Sequence, residues 1–257
     1  MIRGLYTAAS GLLSNLRRQE AVSNNLANAN TIGYKEDASS DSSFQKVLAT
    51  RIGNASVPVP LTFQKRLGTV GTGAYQSERR AFLQQGNLAE TGEQLDLAIV
   101  GPGFFATRTP GGDTLYTRDG HFTTNEAGEI TTVEGRQVLD ANGQTINVGG
   151  GLVSILRNGE VSVDGNVLTT LGVYDIPADQ LVRAQGSAFT AVGVPTALAL
   201  GSEQRVEQGK LEQSNIDLAE ESIRLMNSSR QFEASQRVFR ELSANLERAV
   251  TEIGRVG

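Results

Sequence analysis

The C-terminal end of the chain carries the feature that most constrains its fold, an uninterrupted heptad repeat. Apolar side chains recur at every seventh position, at Leu218, Leu225, Phe232, Phe239, Leu246 and Ile253. Between residues 214 and 253 there is neither Gly nor Pro. This spacing predicts a single α-helix of roughly 40 residues. Because globular helices average three or four turns, a seam of this length indicates that the helix packs against a partner helix.

The N-terminal segment predicts a second amphipathic helix, from Ile2 to about Asn30. A coiled-coil spacing connects Leu5, Ala9, Leu12, Leu16 and Leu26, and a second strip consists of Ala8, Val22 and Ala29. The pattern is diluted by Gly and Ser and continues past Arg17 and Arg18, so we interpret it as a retained helix and not as a cleaved signal peptide. The two terminal helices are predicted to pair. A hairpin within one chain and further seams to other copies both remain open, since two helices cannot bury every apolar strip.

The middle of the chain, about 76–200, predicts short antiparallel strands. Strand patterns occupy residues 95–100, 114–117, 121–124, 129–133, 137–139, 152–156, 160–163 and 168–174. Seven turn pairs alternate with them, Gly111-Gly112, Asp119-Gly120, Ala127-Gly128, Glu134-Gly135, Asn142-Gly143, Asn158-Gly159 and Asp164-Gly165. Asn-Gly and Asp-Gly are strong hairpin signals. The predicted fold class is therefore α+β: long N- and C-terminal helices pairing as a coiled-coil-like unit, with a central all-β domain of short antiparallel strands.

These patterns divide the chain into four segments. We predict the N-terminal helix of an inner assembly domain at 1–33, an extended linker or arm at 34–75, the central β domain at 76–205, and the C-terminal helix of the inner assembly domain at 206–257. Within the arm, Phe44 to Ile52 is predicted to form a short helix, and the prolines of 57–60 predict extended backbone.

Composition excludes several classes of chemistry. The chain has no Cys and one His, so disulfides, thiolate catalysis, Cys-ligated zinc and multi-histidine metal sites are excluded. A net charge of −5 lacks the basic footprint of a nucleic-acid-binding protein. It also disfavours a polybasic membrane anchor, and no run approaches the roughly 20 apolar residues of a membrane span. We therefore expect no metal, cofactor, nucleic-acid partner or transmembrane segment.

Two motifs suggest chemistry, and each is better explained by structure. The stretch 101–106 satisfies G-x-G-x-x-A, but strand and turn residues follow it where a dinucleotide site needs a helix. Arg118 to His121 places an acid beside the one histidine, with no nucleophile at a recognisable spacing. We expect a tight turn in the first case, and in the second a turn at Asp119-Gly120 with Arg118 paired to a nearby carboxylate. The prediction is that the chain is not an enzyme and has no catalytic residues.

Several segments together resemble the bacterial flagellar axial proteins of rod and hook. The similar stretches are 24–35, 85–88, 96–99, 101–105, 116–122 and 209–218, in the order and register of the family. The positions that carry the motif are Asn24, Asn25, Leu26, Asn28, Gly33, Tyr34, Gly86, Asp96, Gly101, Gly103, Phe104, Phe105, Arg118, Asp119, Gly120, Phe122, Ser214 and Asn215. The length resembles the larger rod proteins, of the distal-rod type or its close proximal-rod relative. A hook or hook-adaptor subunit is the alternative within the family.

The resemblance implies a structural subunit of the flagellar basal-body rod, the drive shaft for motility. It implies a homo-oligomeric helical polymer built through the terminal helices, with an outer β domain and with rod and hook proteins as neighbours. It also implies export by the flagellar type III apparatus into the cell envelope. The predicted self-assembly residues are Leu5, Leu12, Leu16, Leu26, Leu218, Leu225, Phe232, Phe239 and Leu246. The rival from another class, a cell-wall-acting enzyme or glycan-binding module, lacks an acid pair at recognisable spacing and has few aromatics for sugar stacking.

Overall fold

The computed structural model describes residues 2–38, 41–43, 47–51, 65–70, 74–76, 80–198, 200 and 204–254. Helix α1 spans Ile2–Ala27 and helix α2 spans Leu218–Gly254. The chain forms two compact units, one of residues 1–23, 39–79 and 222–257, the other of residues 24–38 and 80–221. The predicted extended stretch at 57–60 lies outside the described residues. Neither helix is long and apolar enough over its described residues to cross a membrane.

The strands are short, and we number them along the chain. The first eleven are β1 Asp37–Ala38, β2 Asp41–Ser43, β3 Val47–Arg51, β4 Lys65–Val70, β5 Ala74–Gln76, β6 Arg80–Ala81, β7 Leu88–Glu90, β8 Leu97–Val100, β9 Phe104–Arg108, β10 Thr114–Thr117 and β11 Phe122–Thr124. The others are β12 Ile130–Thr132, β13 Gln137–Val138, β14 Val153–Ile155, β15 Glu160–Val163, β16 Asn166–Thr170, β17 Val173–Asp175, β18 Leu181–Arg183, β19 Ala188–Ala191, β20 Thr196–Ala197, β21 Arg205–Gln208 and β22 Lys210–Glu212.

The two helices pair antiparallel in the first unit, as the heptad patterns predicted. Asn15 Nδ2 donates to Ser235 Oγ at 2.9 Å, and Arg18 Nη1 donates to Gln231 Oε1 at 2.9 Å. The α+β fold class is confirmed, and α2 is one unbroken helix of 37 residues.

The arm of the first unit contains strands where the sequence predicted a helix. Strand β3 pairs with β4 and strand β2 pairs with β5, both antiparallel. The predicted helix at 44–52 is wrong, since Val47–Arg51 is extended. The apolar spacing that suggested a helix includes Phe44 and Ile52, which lie outside the described residues, and the pairing with β4 decides the conformation of the rest.

The second unit is an antiparallel β domain around two apolar clusters. Its largest sheet has the order β11-β12-β13-β9-β10-β19-β18, with β17 also on β9 and β20 on β17. A three-stranded sheet, β14-β15-β16, contributes to the same core. Successive residues of β9 point to opposite faces, so Phe105 packs edge-on to Phe122 in one cluster while Phe104 packs against Phe189 in the other.

The turn pairs behave as predicted with one exception. Six of the seven place a glycine at positive φ, whereas Gly120 does not. The predicted single strand 168–174 is also wrong, because β16 and β17 are separate strands on different sheets. At the break, Gly172 lies so close to Asp140 that a Cβ would be 2.5 Å from the Asp140 carbonyl oxygen.

Candidate functional site

The carboxylate of Glu212, at the end of β22, is the centre of a buried polar network in the second unit. Glu212 is fully buried. Its Oε1 accepts Lys35 Nζ at 2.5 Å and the Gly86 amide at 2.9 Å, and its Oε2 accepts Arg118 Nη1 at 3.0 Å. Its backbone carbonyl accepts the Gly33 amide at 2.8 Å. We call this network, with the residues described next, the clasp.

The two cations of the clasp are held by main-chain oxygens as well as by Glu212. Lys35 Nζ donates to the Gln84 carbonyl at 2.8 Å, and Arg118 Nη2 donates to the Gly101 carbonyl at 2.7 Å. Burial lowers the pKa of Lys35, an effect that Glu212 opposes and Arg118 reinforces. Because one carboxylate serves two buried cations, the clasp depends on that carboxylate remaining charged and in place.

Arg183 of β18 also binds the segment that follows α1. Arg183 Nη2 donates to the Lys35 carbonyl at 2.6 Å and to Asp37 Oδ1 at 2.8 Å. Its guanidinium lies over the Tyr34 ring, 4.4 Å from the centroid. Tyr34, Lys35 and Asp37 are all buried. The side chains at the start of the predicted linker are therefore anchored in the β domain.

Two asparagines connect the clasp to the adjoining helix ends. Asn25 bonds the Asp37 amide and carbonyl through its own side chain and also donates to Glu221 Oε1 at 2.9 Å. Asn215 accepts the Glu36 amide at 2.8 Å and donates to the Phe82 carbonyl at 2.9 Å. An amide side chain suits both positions, since it donates and accepts at once.

Three glycines of the family motif permit close approach of backbones. A Cβ at Gly33, whose φ is 66°, would lie 2.3 Å from the Asp119 nitrogen. A Cβ at Gly86 would lie 2.1 Å from the Gln213 carbonyl oxygen, and one at Gly120 1.7 Å from the Leu97 carbonyl oxygen. Gly120 is therefore required by packing and not by turn conformation, which explains the exception noted above.

Seven of the eighteen predicted motif positions thus contact one buried network. Asn25, Gly33, Tyr34, Gly86, Gly101, Arg118 and Asn215 contact it directly. Others serve neighbouring structure: Asn28 bonds the Asn24 carbonyl at the end of α1, Ser214 Oγ accepts the Ile216 amide before α2, and Phe104, Phe105 and Phe122 fill the core. Leu26 is half-buried in α1. Gly103 has φ 125° at the predicted Gly-Pro-Gly turn, which leads into strand β9 and not into a helix.

The predicted ion pair of Arg118 is confirmed, and its partner is Glu212. Lys35 and Glu212 were not predicted as site residues, although both belong to the motif stretches. Burial raises the pKa of Asp119. Among the described residues, no group of three or more His, Asp or Glu is placed to hold a metal ion.

The seam of the helix pair differs from the predicted one at two positions of α1. On α2 the half-buried and buried positions include Leu225, Ser228, Phe232, Ser235, Phe239, Leu242 and Leu246. On α1 they include Leu5, Ala8, Leu12, Asn15, Gln19 and Val22. Ala9 and Leu16 were predicted for this seam but are exposed. The prediction is therefore wrong for these two residues in the pair within one chain, where Ala8 and Asn15 are the half-buried residues instead.

Both helices keep apolar side chains on their outer surfaces. Leu16 is 37% exposed and Leu218 is 53% exposed. Tyr6, Leu13, Ile223, Met226, Val238 and Val250 are exposed as well. The assignment of Leu16 and Leu218 to self-assembly stays a prediction, as does that of the other seven residues.

Comparison with protein families gives three matches along the chain. Residues 5–35 match the model described as "Flagella basal body rod protein". Residues 98–169 match "Flagellar hook protein FlgE/F/G D1 domain", and residues 207–252 match "Flagellar basal body rod FlgEFG protein C-terminal".

Individual proteins similar to this chain cover almost all of it. The flagellar basal-body rod protein FlgF of Rhizobium meliloti (strain 1021) is 31% identical over 99% of both chains. The flagellar hook-basal body complex protein FlhO of Bacillus subtilis (strain 168) is 32% identical over 100% of both. The flagellar basal-body rod protein FlgG of Agrobacterium fabrum is 30% identical over 92% of this chain and 94% of its own length.

Proposed function

We propose that this chain, which belongs to the flagellar basal-body rod protein family, polymerises helically through its terminal helices to form part of the drive shaft of the flagellum. The chain is a structural subunit of the basal-body rod, and its place is the flagellar basal body. Membership of the rod and hook family implies association with other rod and hook components.

The observation that supports polymerisation is the apolar surface that the helix pair leaves uncovered. On α1, Tyr6, Leu13 and Leu16 follow one another at helical spacings of seven and three and are exposed, whereas Leu12 and Asn15 are half-buried. Such a strip on a helix that already has one partner is typical of a helix with a second partner. A second copy of the chain is the partner that a homopolymer provides.

A head-to-tail contact that does not close into a ring generates a helical filament from one kind of subunit. On this proposal the helix pair supplies that contact and the clasp, lying wholly in the β domain, does not take part in it. The subunit acts by assembly and has no enzymatic role, and it reaches the rod through the flagellar type III export apparatus.

The experiment replaces outer leucines of α1 in a strain whose own copy of the gene is deleted. Leu13→Asp and Leu16→Asp, each alone, place a carboxylate on the exposed strip while leaving the buried positions of the pair intact. We expect purified chains of unchanged helical content, and cells without rods and without motility. Ser23→Asp, an exposed polar position on the same helix, is the control and is expected to remain motile. Motile Leu13→Asp and Leu16→Asp strains with normal rods in isolated basal bodies would contradict the proposal.

A further inference from the structure

A cleft opens in the largest sheet of the β domain, between β10 and β19. On this side the ladder that joins the two strands ends at the pair Tyr116–Phe189. Both strands continue beyond it, to Thr114 and to Ala191, but these ends are not paired with each other. They line a cleft of about 500 Å³ that also reaches the neighbouring turns and the loop 193–195. This volume is within the range of ligand-binding clefts.

The main-chain groups of Ala191 point into this cleft. The Val192 amide donates to the Gln180 carbonyl at 2.7 Å, on the side of β19 that faces β18. Successive residues of a strand direct their N–H and C=O groups to alternate sides. Ala191 therefore directs its own groups to the opposite side, toward the position that β10 would occupy if the ladder continued.

The main-chain groups of Thr114 point into the cleft from the facing wall. Ala106 of β9 bonds the Gly172 carbonyl and the Leu139 amide, so its pair with Tyr116 is of the kind without hydrogen bonds. Tyr116 accordingly directs its groups toward β19, and Thr114, two residues earlier, directs its groups the same way. Each wall of the cleft thus has an N–H and a C=O where a further strand would bond.

We propose that this cleft binds an extended peptide segment of another protein, which forms main-chain hydrogen bonds with Thr114 on one wall and Ala191 on the other and presents a Lys or Arg side chain to Asp113. Consecutive residues of an extended chain bond to opposite sides, so two neighbouring residues satisfy both walls. A free edge strand offers hydrogen bonds on one side only. The cleft is therefore a better acceptor than the edges of the same sheet.

Charge indicates which side chain the peptide carries. Asp113 lines the cleft beside Thr114 and is exposed. Its carboxylate has no cationic partner within the described part of the chain, and the residues that line the cleft include no Lys, Arg or His. Because charged groups across an interface select a partner of opposite sign, the cleft favours a basic peptide over an acidic one.

Exposed valines beside the cleft indicate the other side chains of the peptide. Val192 and Val194, on the two sides of Gly193, are 63% and 93% exposed. Val182 is 51% exposed and stands opposite Thr190 in the β18–β19 ladder. Gly193 and Thr190 both line the cleft. Exposed apolar groups clustered at a cleft are typical of a binding surface, so we expect apolar residues next to the basic one.

The test is a titration of the full chain, labelled with nitrogen-15, with the synthetic peptide acetyl-Val-Lys-Val-Lys-Val-amide. We expect saturable changes of the amide resonances of Thr114 and Ala191, with a dissociation constant of about 1 mM or below. A second peptide with Glu in place of both Lys is expected to bind at least about fivefold more weakly. A third keeps both Lys but is methylated at its main-chain nitrogens, and it is expected to bind at least about tenfold more weakly.

Two variants test the walls of the cleft separately. Ala191→Pro removes the amide that faces the cleft and leaves the Val192 amide in place, and we expect the Lys peptide to bind at least about tenfold more weakly. Asp113→Asn is expected to weaken the Lys peptide about fivefold and to leave the Glu peptide no weaker. Glu126→Gln, at an exposed acid in the turn between β11 and β12, is the matched control and should bind as the unchanged chain does. Unchanged resonances away from the cleft verify that each variant is folded.

Any of four results overturns the inference: no saturable change at Thr114 and Ala191, equal binding of the methylated peptide, equal binding of the Glu peptide, or undiminished binding of the Lys peptide by both variants. Changes at the cleft that depend on chain concentration without any peptide would also overturn it, in favour of a second copy as the occupant. Because the titration uses the free chain, its outcome is independent of rod assembly. Failure of the proposed function is seen separately, in motile Leu13→Asp and Leu16→Asp strains with normal rods.

Discussion

The clasp and the helix pair both hold together segments that are distant in the sequence, but they do so in opposite ways. In the clasp, Glu212 is fully buried and meets four donors of three other segments. In the helix pair, the seam residues are mostly half-buried and the outer surface keeps exposed apolar side chains. The clasp forms within one chain, whereas the helix pair keeps apolar side chains exposed.

This difference separates two demands on a subunit that assembles. A β domain that must keep its shape gains from buried charges whose loss is severe, because no alternative packing can satisfy them. Helices that acquire further partners need apolar surface that remains accessible before assembly. Substitutions in the clasp are therefore expected to act on the stability of one chain, and substitutions on the outer helix strips on assembly.

The strongest test of the clasp is Glu212→Gln. The amide leaves Lys35 and Arg118 buried without a counter-charge, which costs about 3–5 kcal/mol. We expect the free energy of unfolding of the β domain, measured with urea, to fall by that amount. Glu207→Gln is the matched control, since Glu207 accepts Arg205 and Lys210 at the partly exposed start of the same segment, and the expected loss is at most about 1 kcal/mol. Equal losses of stability in the two variants would show that the clasp contributes no more than a surface ion pair does.

The corresponding test of the helix pair is Phe232→Asp, which puts a carboxylate in the seam. Removal of a buried Phe costs about 3–5 kcal/mol, and the half-buried site reduces this to about 2 kcal/mol. We expect helical content and protease resistance of the termini to fall, rod assembly and motility to be lost, and a resistant core spanning residues 80–198 to persist. Val238→Asp, an exposed position on the same helix, is the control for the free chain. A β domain that unfolds together with the helices would mean that the two units are one cooperative structure.

Gly33→Ala tests how tightly the clasp brings backbones together, and Gly135→Ala, its control, has the smallest expected effect. The left-handed conformation alone costs about 1–2 kcal/mol for a non-glycine residue. At Gly33 the added Cβ would also lie 2.3 Å from the Asp119 nitrogen, whereas at Gly135, with φ 81°, it meets open space. Gly135→Ala should therefore lose about 1–2 kcal/mol of unfolding free energy, measured by thermal unfolding. Gly33→Ala should lose clearly more. A Gly33→Ala chain as stable as Gly135→Ala would indicate that the segment after α1 is loosely held.

Much of the fold was accessible from local patterns in the sequence. The heptad repeat predicted α2 nearly to its ends, and the Gly-containing pairs predicted six turns of the β domain correctly. Failures occurred where a distant segment decided the outcome. The stretch 168–174 splits because β16 and β17 pair with different strands, and Val47–Arg51 is a strand because β4 lies beside it.

The candidate site was predicted in part. The motif positions converge, and the ion pair of Arg118 was expected, but its partner was not identified. Lys35 and Glu212 are 177 residues apart, and although both lie in the motif stretches, nothing in the local sequence pairs one with the other. Arg183 stands in a short strand with no recognisable motif, and only the packing of Tyr34 and Asp37 against it reveals its role.

The sequence by itself determined that the ends are helices, that the middle is a turn-rich β structure, and that these residues cannot form a thiolate or multi-histidine site, because periodicity, turn residues and residue types are local properties. Only the tertiary structure decided which strip of α1 faces α2 and which charges share Glu212. Adjacent positions on a helix differ in direction by 100°, so Ala8 and Ala9, or Asn15 and Leu16, are alternatives that a partner must choose between. A buried carboxylate likewise has no preferred cation until the fold brings one within hydrogen-bonding distance.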